Sequence, residues 1–344
     1  MKVLVLNDTR SENHHGCSRV MNAIDFNLKQ RGIRDVDYVE IGENWEQSEA
    51  IKRKIIFADL LLINGEGTIH HNAPYGLSLL RAGSFARKYG VKTALINCTF
   101  QANDAACHKD LASFDLISVR ESLSLAEVEA AGVSARIVPD LSFAVGRNIS
   151  AQRSDRVYVT DSVKKEVSMS LEQLTLKRGF SYSDITTGVA APVPPKITRI
   201  LSIWRNNTFA ELMTKVIIAL QRRQQVTGDA TPKRETTYTH FDFSDQISAA
   251  NLLICGRFHT MCYCMNNQTP FVAIDSNSHK MLGTLKDAGL DAKKRLLSLD
   301  MLPDLNPETY QYNDAEKEAL VQYTQRAHVE TQRLFDDLRG LLPS

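Results

Sequence analysis

The chain has 344 residues, 43% of them hydrophobic, enough to build cores for two lobes of about 150 residues each. Its 41 basic and 40 acidic residues leave a formal net charge of +1. There is therefore no global field to draw in nucleic acid or acidic lipid, and an anion has to be captured locally.

The opening apolar run, residues 3–6, is too short for a signal peptide, and no stretch approaches the ~20 apolar residues that cross a bilayer. A soluble, cytoplasmic chain is expected. Residues 3–6 read as a strand, residues 7–17 as a polar loop, and the following segment as a helix to about Arg31. Residues 36–41 repeat the strand signal, 45–57 the helix, and 59–64 form a third strand that ends in Gly65-Glu66-Gly67. The two glycines allow a tight backbone turn against a ligand. A helix over 77–89, a strand over 92–98, a short helix over 105–113 and a strand over 116–119 follow, the last running into Arg120. A helix over 122–131 stops at Gly132, and a strand over 136–138 ends at Pro139-Asp140. Alternating strands and helices of these lengths imply a parallel, doubly wound α/β sheet, in which every polar group singled out here follows a strand.

Residues 146–156 are polar and aperiodic, as suits a crossing between domains. Strand signals resume at 157–160, followed by a helix over 164–177, a proline-rich loop over 190–195, a strand over 197–203, an amphipathic helix over 208–226, a polar loop over 227–240 and a short helix over 243–251. After Pro303 and Pro307 comes a final helix from about 314 to 342, ~40 Å long at 1.5 Å per residue, enough to cross back onto the first domain. The expected division is 1–150, 151–312 and the returning helix 313–344.

The most informative stretch runs from 252 to 280. An apolar strand, 252–255, turns at Gly256 into a helix over 258–266, so Arg257 and His259 stand where strand becomes helix. Ligands of open α/β sheets bind at that edge, where strand carboxyl ends meet helix amino ends. A second strand, 270–274, leads to another helix and brings Lys280 to the same edge. A guanidinium, an imidazole and an ammonium would then face one cleft. The six cysteines are scattered, unlike a disulfide scaffold. Cys262 and Cys264, two apart on a helix, point in different directions and with His259 make no ligand set. No metal or cofactor is expected.

Val119-Arg120-Glu121-Ser122, Val138-Pro139-Asp140-Leu141-Ser142-Phe143, Cys255-Gly256-Arg257-Phe258-His259, and Pro270-Phe271-Val272-Ala273-Ile274 with Lys280 resemble, in this order, segments of the polysaccharide pyruvyl transferase family. The resemblance implies two Rossmann-like domains arranged as in GT-B glycosyltransferases, the first on the acceptor side and the second on the donor side. It also implies transfer of a pyruvyl group from phosphoenolpyruvate to a sugar as a ketal, with Arg120, Arg257 and His259 carrying donor binding and chemistry. A departure lies after the third strand, where Gly65-Glu66-Gly67 stands instead of three glycines.

Phosphoenolpyruvate is a small frame with a carboxylate and a phosphate, so its site needs fixed cations, and arginine's planar fork suits both groups. Arg120 and Arg257 are the expected donor ligands, with Lys280 a third cation or merely a helix-capping group. Imidazole exchanges protons near neutral pH, which makes His259 the expected acid/base. Glu66 is either a base for an acceptor hydroxyl or a solvated loop carboxylate. Asp8, His15, Gly65, Gly67, His70 and Asp140 complete the expected acceptor side. Asp140 reads equally as a turn residue, and His14 and His71 accompany their neighbours. Expected partners are phosphoenolpyruvate, a lipid-linked or nucleotide-linked sugar that would bring the protein near a membrane surface, and a second copy in a homo-oligomer. The alternative function is a GT-B glycosyltransferase using a nucleotide sugar, with Glu66 or Asp8 as base. A third is a non-catalytic sugar-binding or assembly protein.

Overall fold

The computed structural model describes residues 1–146, 149, 153–186, 234, 235, 237 and 239–343. The loop, strand and helix expected over 190–226 lie outside the described residues, as does part of the crossing at 146–156.

Six strands form the first sheet: β1 (Lys2–Asp8), β2 (Asp35–Glu40), β3 (Leu60–His70), β4 (Lys92–Gln101), β5 (Leu116–Val119) and β6 (Arg136–Ile137). Their order is β2-β1-β3-β4-β5-β6, all parallel. The intervening helices include α1 (His15–Gln30), α2 (Glu49–Ile56), α3 (Pro74–Arg87), α4 (His108–Leu111) and α5 (Ser122–Ala130). Helices on both faces explain why these strands are continuously apolar rather than alternating. Leu4, Leu6, Leu61 and Ile63 pack into one core, and Val3, Val5, Leu60 and Leu62 into the other, as the two-residue period of a strand requires.

The second sheet holds β7 (Val157–Val159), β8 (Ser181–Ser183), β9 (Arg234–Glu235), β10 (Leu252–Cys255), β11 (Phe271–Ile274) and β12 (Leu296–Leu297), in the parallel order β12-β11-β10-β7-β8-β9. Its helices include α6 (Lys165–Arg178), α7 (His240–Ser248), α8 (Phe258–Asn266), α9 (Lys280–Asp287) and α10 (Ala292–Arg295). The result is a two-domain α/β architecture. Strands β8, β9 and β12 were not legible in the sequence, because two or three residues carry no periodicity. Helix α7 begins three residues before its expected start, since Thr239 and Asp242 form a capping box that selects the amino end.

The larger correction concerns Gly65-Glu66-Gly67. No turn forms there: β3 continues to His70 and stays paired with β4 through a register shift between Glu66 and Ile69. The left-handed backbone falls on Glu66, at φ +39°, rather than on either glycine. Gly65 is needed for closeness instead, because a Cβ there would lie 2.8 Å from that of Cys98.

The last helix, α11 (Asp314–Leu341), starts at an Asn313–Glu316 capping box. Its Leu320, Tyr323 and Ala327 pack against the second sheet's core, and Leu334, Phe335 and Leu338 against the first. Other side chains also tie the lobes. From α1, buried Arg19 donates to Ser142 O (2.7 Å) and Val145 O (2.8 Å) with its guanidinium over the Tyr263 ring. On the other flank, Ser122 N donates to Asp287 Oδ2 at 2.8 Å. Among the described residues no helix is long and apolar enough to cross a membrane.

Candidate active site

Strand order reverses between β1 and β3 in the first sheet and between β7 and β10 in the second. Crevices open at such reversals, outside the strand carboxyl ends. Both reversals contribute to one cavity of about 210 Å³, where Thr9 and Glu66 from the first lobe meet Arg257 and His259 from the second.

On the first-lobe side, Glu66 is held rigidly. Its Oε1 accepts from Thr9 Oγ1 (2.7 Å) and Asn64 Nδ2 (3.0 Å), and Oε2 faces Cys17 Sγ at 3.6 Å. Behind it Asn7 Nδ2 donates to Asn64 O, Asn97 Nδ2 to Asn64 Oδ1, and Asn97 Oδ1 accepts from Leu141 N. A chain of buried amides thus sets the strand ends, with Asn7 and Asn97 in the left-handed region that asparagine tolerates. Glu12 lines the cavity too. Burial and then the neighbouring Glu66 raise its pKa above the ordinary carboxylate range.

The cations come from both lobes. Arg120, directly after β5, is 1% exposed. Its Nε donates to Thr99 Oγ1 at 3.1 Å and its Nη1 to Asp140 Oδ2 at 2.9 Å. Burial opposes its charge, but the Asp140 carboxylate outweighs that and its pKa rises. Lys280, at the start of α9, donates to Asn277 Oδ1 (2.6 Å) and Ser278 Oγ (3.1 Å). Burial, reinforced by Arg120, lowers its pKa to about 7 despite Asp275 and Glu66. Gly67 is where these two cations converge: a Cβ there would sit 3.3 Å from Lys280 Nζ and 3.4 Å from Arg120 Nη2. Arg257 occupies the N-cap of α8, its Nε and Nη2 both donating to Asp161 Oδ2 at 2.8 and 2.5 Å. Gly256 lets that pair form, since a Cβ there would lie 2.3 Å from the Asp161 carbonyl oxygen.

His259 stands in the first turn of α8 and lines the cavity. Its ring lies against Gly16, where a Cβ would be 2.2 Å from the imidazole Cγ. Asp140, 1% exposed, sits behind it. Burial would raise the Asp140 pKa, but the His259 imidazole, the Arg120 guanidinium and the Ser142 side chain outweigh it and hold the carboxyl far below its usual range.

His14, Cys17 and His259 bring their nitrogen and sulfur atoms within 4.8 Å of one another. The hydrogen bonding shows what these atoms already do. His14 Nδ1 accepts from Gly16 N (3.1 Å) and Cys17 N (3.4 Å), so in the neutral ring Nε2 carries the proton and offers no lone pair. Burial, then the charges of His259 and Arg257, lower its pKa well below the ordinary value. The Cys17 thiol faces Glu12 and Glu66, and burial with those carboxylates keeps it protonated. The trio fits a hydrogen-bonded wall better than a set of metal ligands. Cys264, for its part, contacts Cys255 at 3.7 Å rather than Cys262.

Of the residues singled out in the sequence, Glu66, Gly67, Arg120, Arg257, His259 and Lys280 line the cavity. His70 stands beside it, 3.3 Å from Asn277, and Gly65 packs beneath. Asp8 turns away to fork with Arg10. His15 is sealed between the lobes, stacked on Phe243 with Nε2 2.8 Å from Thr237 Oγ1. Asp140 lies behind the cavity wall. The residues missed include Thr9, Glu12 and Cys17, whose only signal was the density of polar groups in the loop after β1, and Asn277, which stands in the polar segment after β11.

The paired parallel sheets and the cleft at both reversals define a GT-B-like two-domain α/β fold. A family model described as "Polysaccharide pyruvyl transferase" matches residues 20–278, about three quarters of the chain, and the chain belongs to that family. No curated protein matches it. Among solved structures it is similar to a putative UDP-N-acetylglucosamine 2-epimerase from Listeria monocytogenes, at 9% identity and TM-score 0.56, covering 98% of this chain and 96% of that one. An alpha,alpha-trehalose-phosphate synthase (UDP-forming) from Burkholderia vietnamiensis matches at 12% identity and TM-score 0.53, covering 98% and 99%. UDP-GlcNAc 2-epimerase from Neisseria meningitidis, bound to UDP-GlcNAc, matches at 10% identity and TM-score 0.51, again covering 98% and 99%. At such identities the likeness is one of fold.

Proposed function

We propose that this protein moves a pyruvyl group from phosphoenolpyruvate to a sugar of a cell-surface polysaccharide precursor, forming a ketal. The observation that carries this reading is the convergence of Arg120 and Lys280 on Gly67, with Arg257 and the His259 imidazole lining the same small cavity. Pockets for drug-sized ligands span about 300–1,000 Å³. A cavity of about 210 Å³ suits a small dianionic donor better than a whole nucleotide sugar.

In this reading Arg120, Arg257 and Lys280 bind the donor's phosphate and carboxylate. His259 gives a proton to the methylene carbon, leaving cationic character on the neighbouring carbon, and recovers one from the acceptor hydroxyl that attacks there. The carbon–oxygen bond to phosphate then breaks with its electron pair, and a second hydroxyl, deprotonated with the help of Glu66, closes the ring. One acceptor proton ends on the methyl group and the other on the released phosphate. Thr9, Glu12, His14 and His70 would face the acceptor, a lipid-linked or nucleotide-linked sugar.

Incubation with phosphoenolpyruvate and a pool of acceptors should release inorganic phosphate. Release of a nucleotide from a nucleotide sugar instead would replace this reading with a glycosyltransferase. His259→Gln should lower turnover by about 10²–10⁴-fold, the usual worth of a positioned acid/base, while donor binding persists. Arg257→Ala should weaken donor binding. Wild-type kinetics in both variants would refute the assignment.

A further inference from the structure

We propose that Asp140 is the positioning residue of His259. Its carboxylate holds the imidazole as the Nε2–H tautomer and leaves the Nδ1 lone pair free for proton transfer at the cavity. The geometry stands by itself, while the catalytic consequence rests on the reaction proposed above.

At 1% exposure Asp140 has no face for a sugar hydroxyl, so the acceptor contact expected from sequence has no route to it. Its two oxygens are committed: Oδ1 accepts from Ser142 N at 2.9 Å and Oδ2 from Arg120 Nη1 at 2.9 Å. The remaining approach to Oδ2 is taken by His259 Nε2 at 3.8 Å, a buried atom with no hydrogen-bond partner. A lone pair at Nε2 would oppose a carboxylate, whereas an N–H there is attracted to it and avoids the cost of an unsatisfied buried donor. Catalytic hydrogen bonds are often long in the absence of substrate and shorten in the complex. Closing this gap by about 1 Å would make the bond.

The ring is also packed on its other side. Gly16 presses on the ring near Cγ and Nδ1, and the His14 ring stands 5.3 Å away. The titratable groups facing the imidazole are Asp140 and, through it, Arg120 on one side, and His14, Cys17 and Glu12 on the other. Only Asp140 is a buried carboxylate against Nε2. Arg120 and Asp140 belong to the first lobe and His259 to the second, so the arrangement exists only while the lobes are packed together.

The test is ¹⁵N NMR of histidine-labelled protein, with kinetics alongside. In the wild type, above its titration, His259 should carry its proton on Nε2 with Nδ1 bare. Asp140→Asn should abolish that preference. It should also lower kcat by about 10²-fold or more, with the donor's KM changed little. Because this substitution leaves Arg120 without a counter-charge, the wild-type tautomer decides the matter where the variant fails to fold. An Nδ1–H tautomer in the wild type, or an unchanged tautomer in a folded Asp140→Asn protein, overturns the proposal. If the Nε2–H form is found but no phosphate leaves phosphoenolpyruvate, the positioning role stands and the proposed reaction falls.

Discussion

Lys280 is a cation whose charge the site itself opposes. Burial and Arg120 bring its pKa to about 7, so above that pH the empty site holds a neutral amine. The carboxylate and phosphate of a bound donor favour the ammonium and raise the pKa, so binding at pH 8 should take up close to one proton and affinity should fall as pH rises above 7. Calorimetry of phosphoenolpyruvate binding in two buffers of different ionisation enthalpy measures that uptake, which Lys280→Met should abolish. Gly16 poses a steric question at the same scale. Its missing Cβ is where the His259 ring lies, so Gly16→Ala must push the imidazole off Asp140. Turnover should fall by about 10²-fold or more while stability drops by about 1–3 kcal/mol, measured on the same preparation by activity and urea unfolding.

Strand ends and the helix amino ends that follow them carry the chemistry. Arg120 follows directly on β5 and Arg257 comes after β10 and Gly256, so their positions were legible from short apolar runs ended by a charge or a glycine. Their partners were not, because Asp140 meets Arg120 through the pairing of β5 with β6, and Asp161 meets Arg257 through the pairing of β7 with β10 across 96 residues. The Gly65-Glu66-Gly67 segment misled for a related reason. Glycine permits a turn, but neighbouring β4 supplied a pairing partner out to Gln101 and the chain stayed extended. Among the helices, α9 meets α5 through Gly283, where a Cβ would come 2.2 Å from Glu121 Oε2. That carboxylate caps α5 through Leu123 N and Ser124 N and faces His279 at 3.3 Å. Gly283→Ala should therefore destabilise by about 1–3 kcal/mol and loosen the lobe contact beside Lys280. Denaturant midpoints together with donor KM would register both effects.

For the molecule as a whole, the contact between lobes contains a pH-sensitive element. His15 and His240 are buried there and their pKa values are lowered to about 4, by burial first and then by the charge of His240 on His15 and of Arg19 on His240. Because the unfolded histidines titrate near 6.5, stability is full above that pH, begins to fall below it, and goes on falling until pH 4. His15 alone represents on the order of 3 kcal/mol across that window. Unfolding by urea at steps from pH 7.5 to 4.5 should show this loss, and His15→Asn should flatten it.

What the sequence determined by itself was the succession of strands and helices, the long returning helix, and the residues standing at strand ends, because those follow from local periodicity and from where apolar runs stop. The tertiary structure alone decided that Asp140 lies behind His259 rather than in the cleft, that His15 is sealed while His14 lines the cavity, and that two cations meet over Gly67. Those outcomes depend on how two separately folded sheets pack, and packing brings together side chains more than a hundred residues apart that leave no local pattern in the chain.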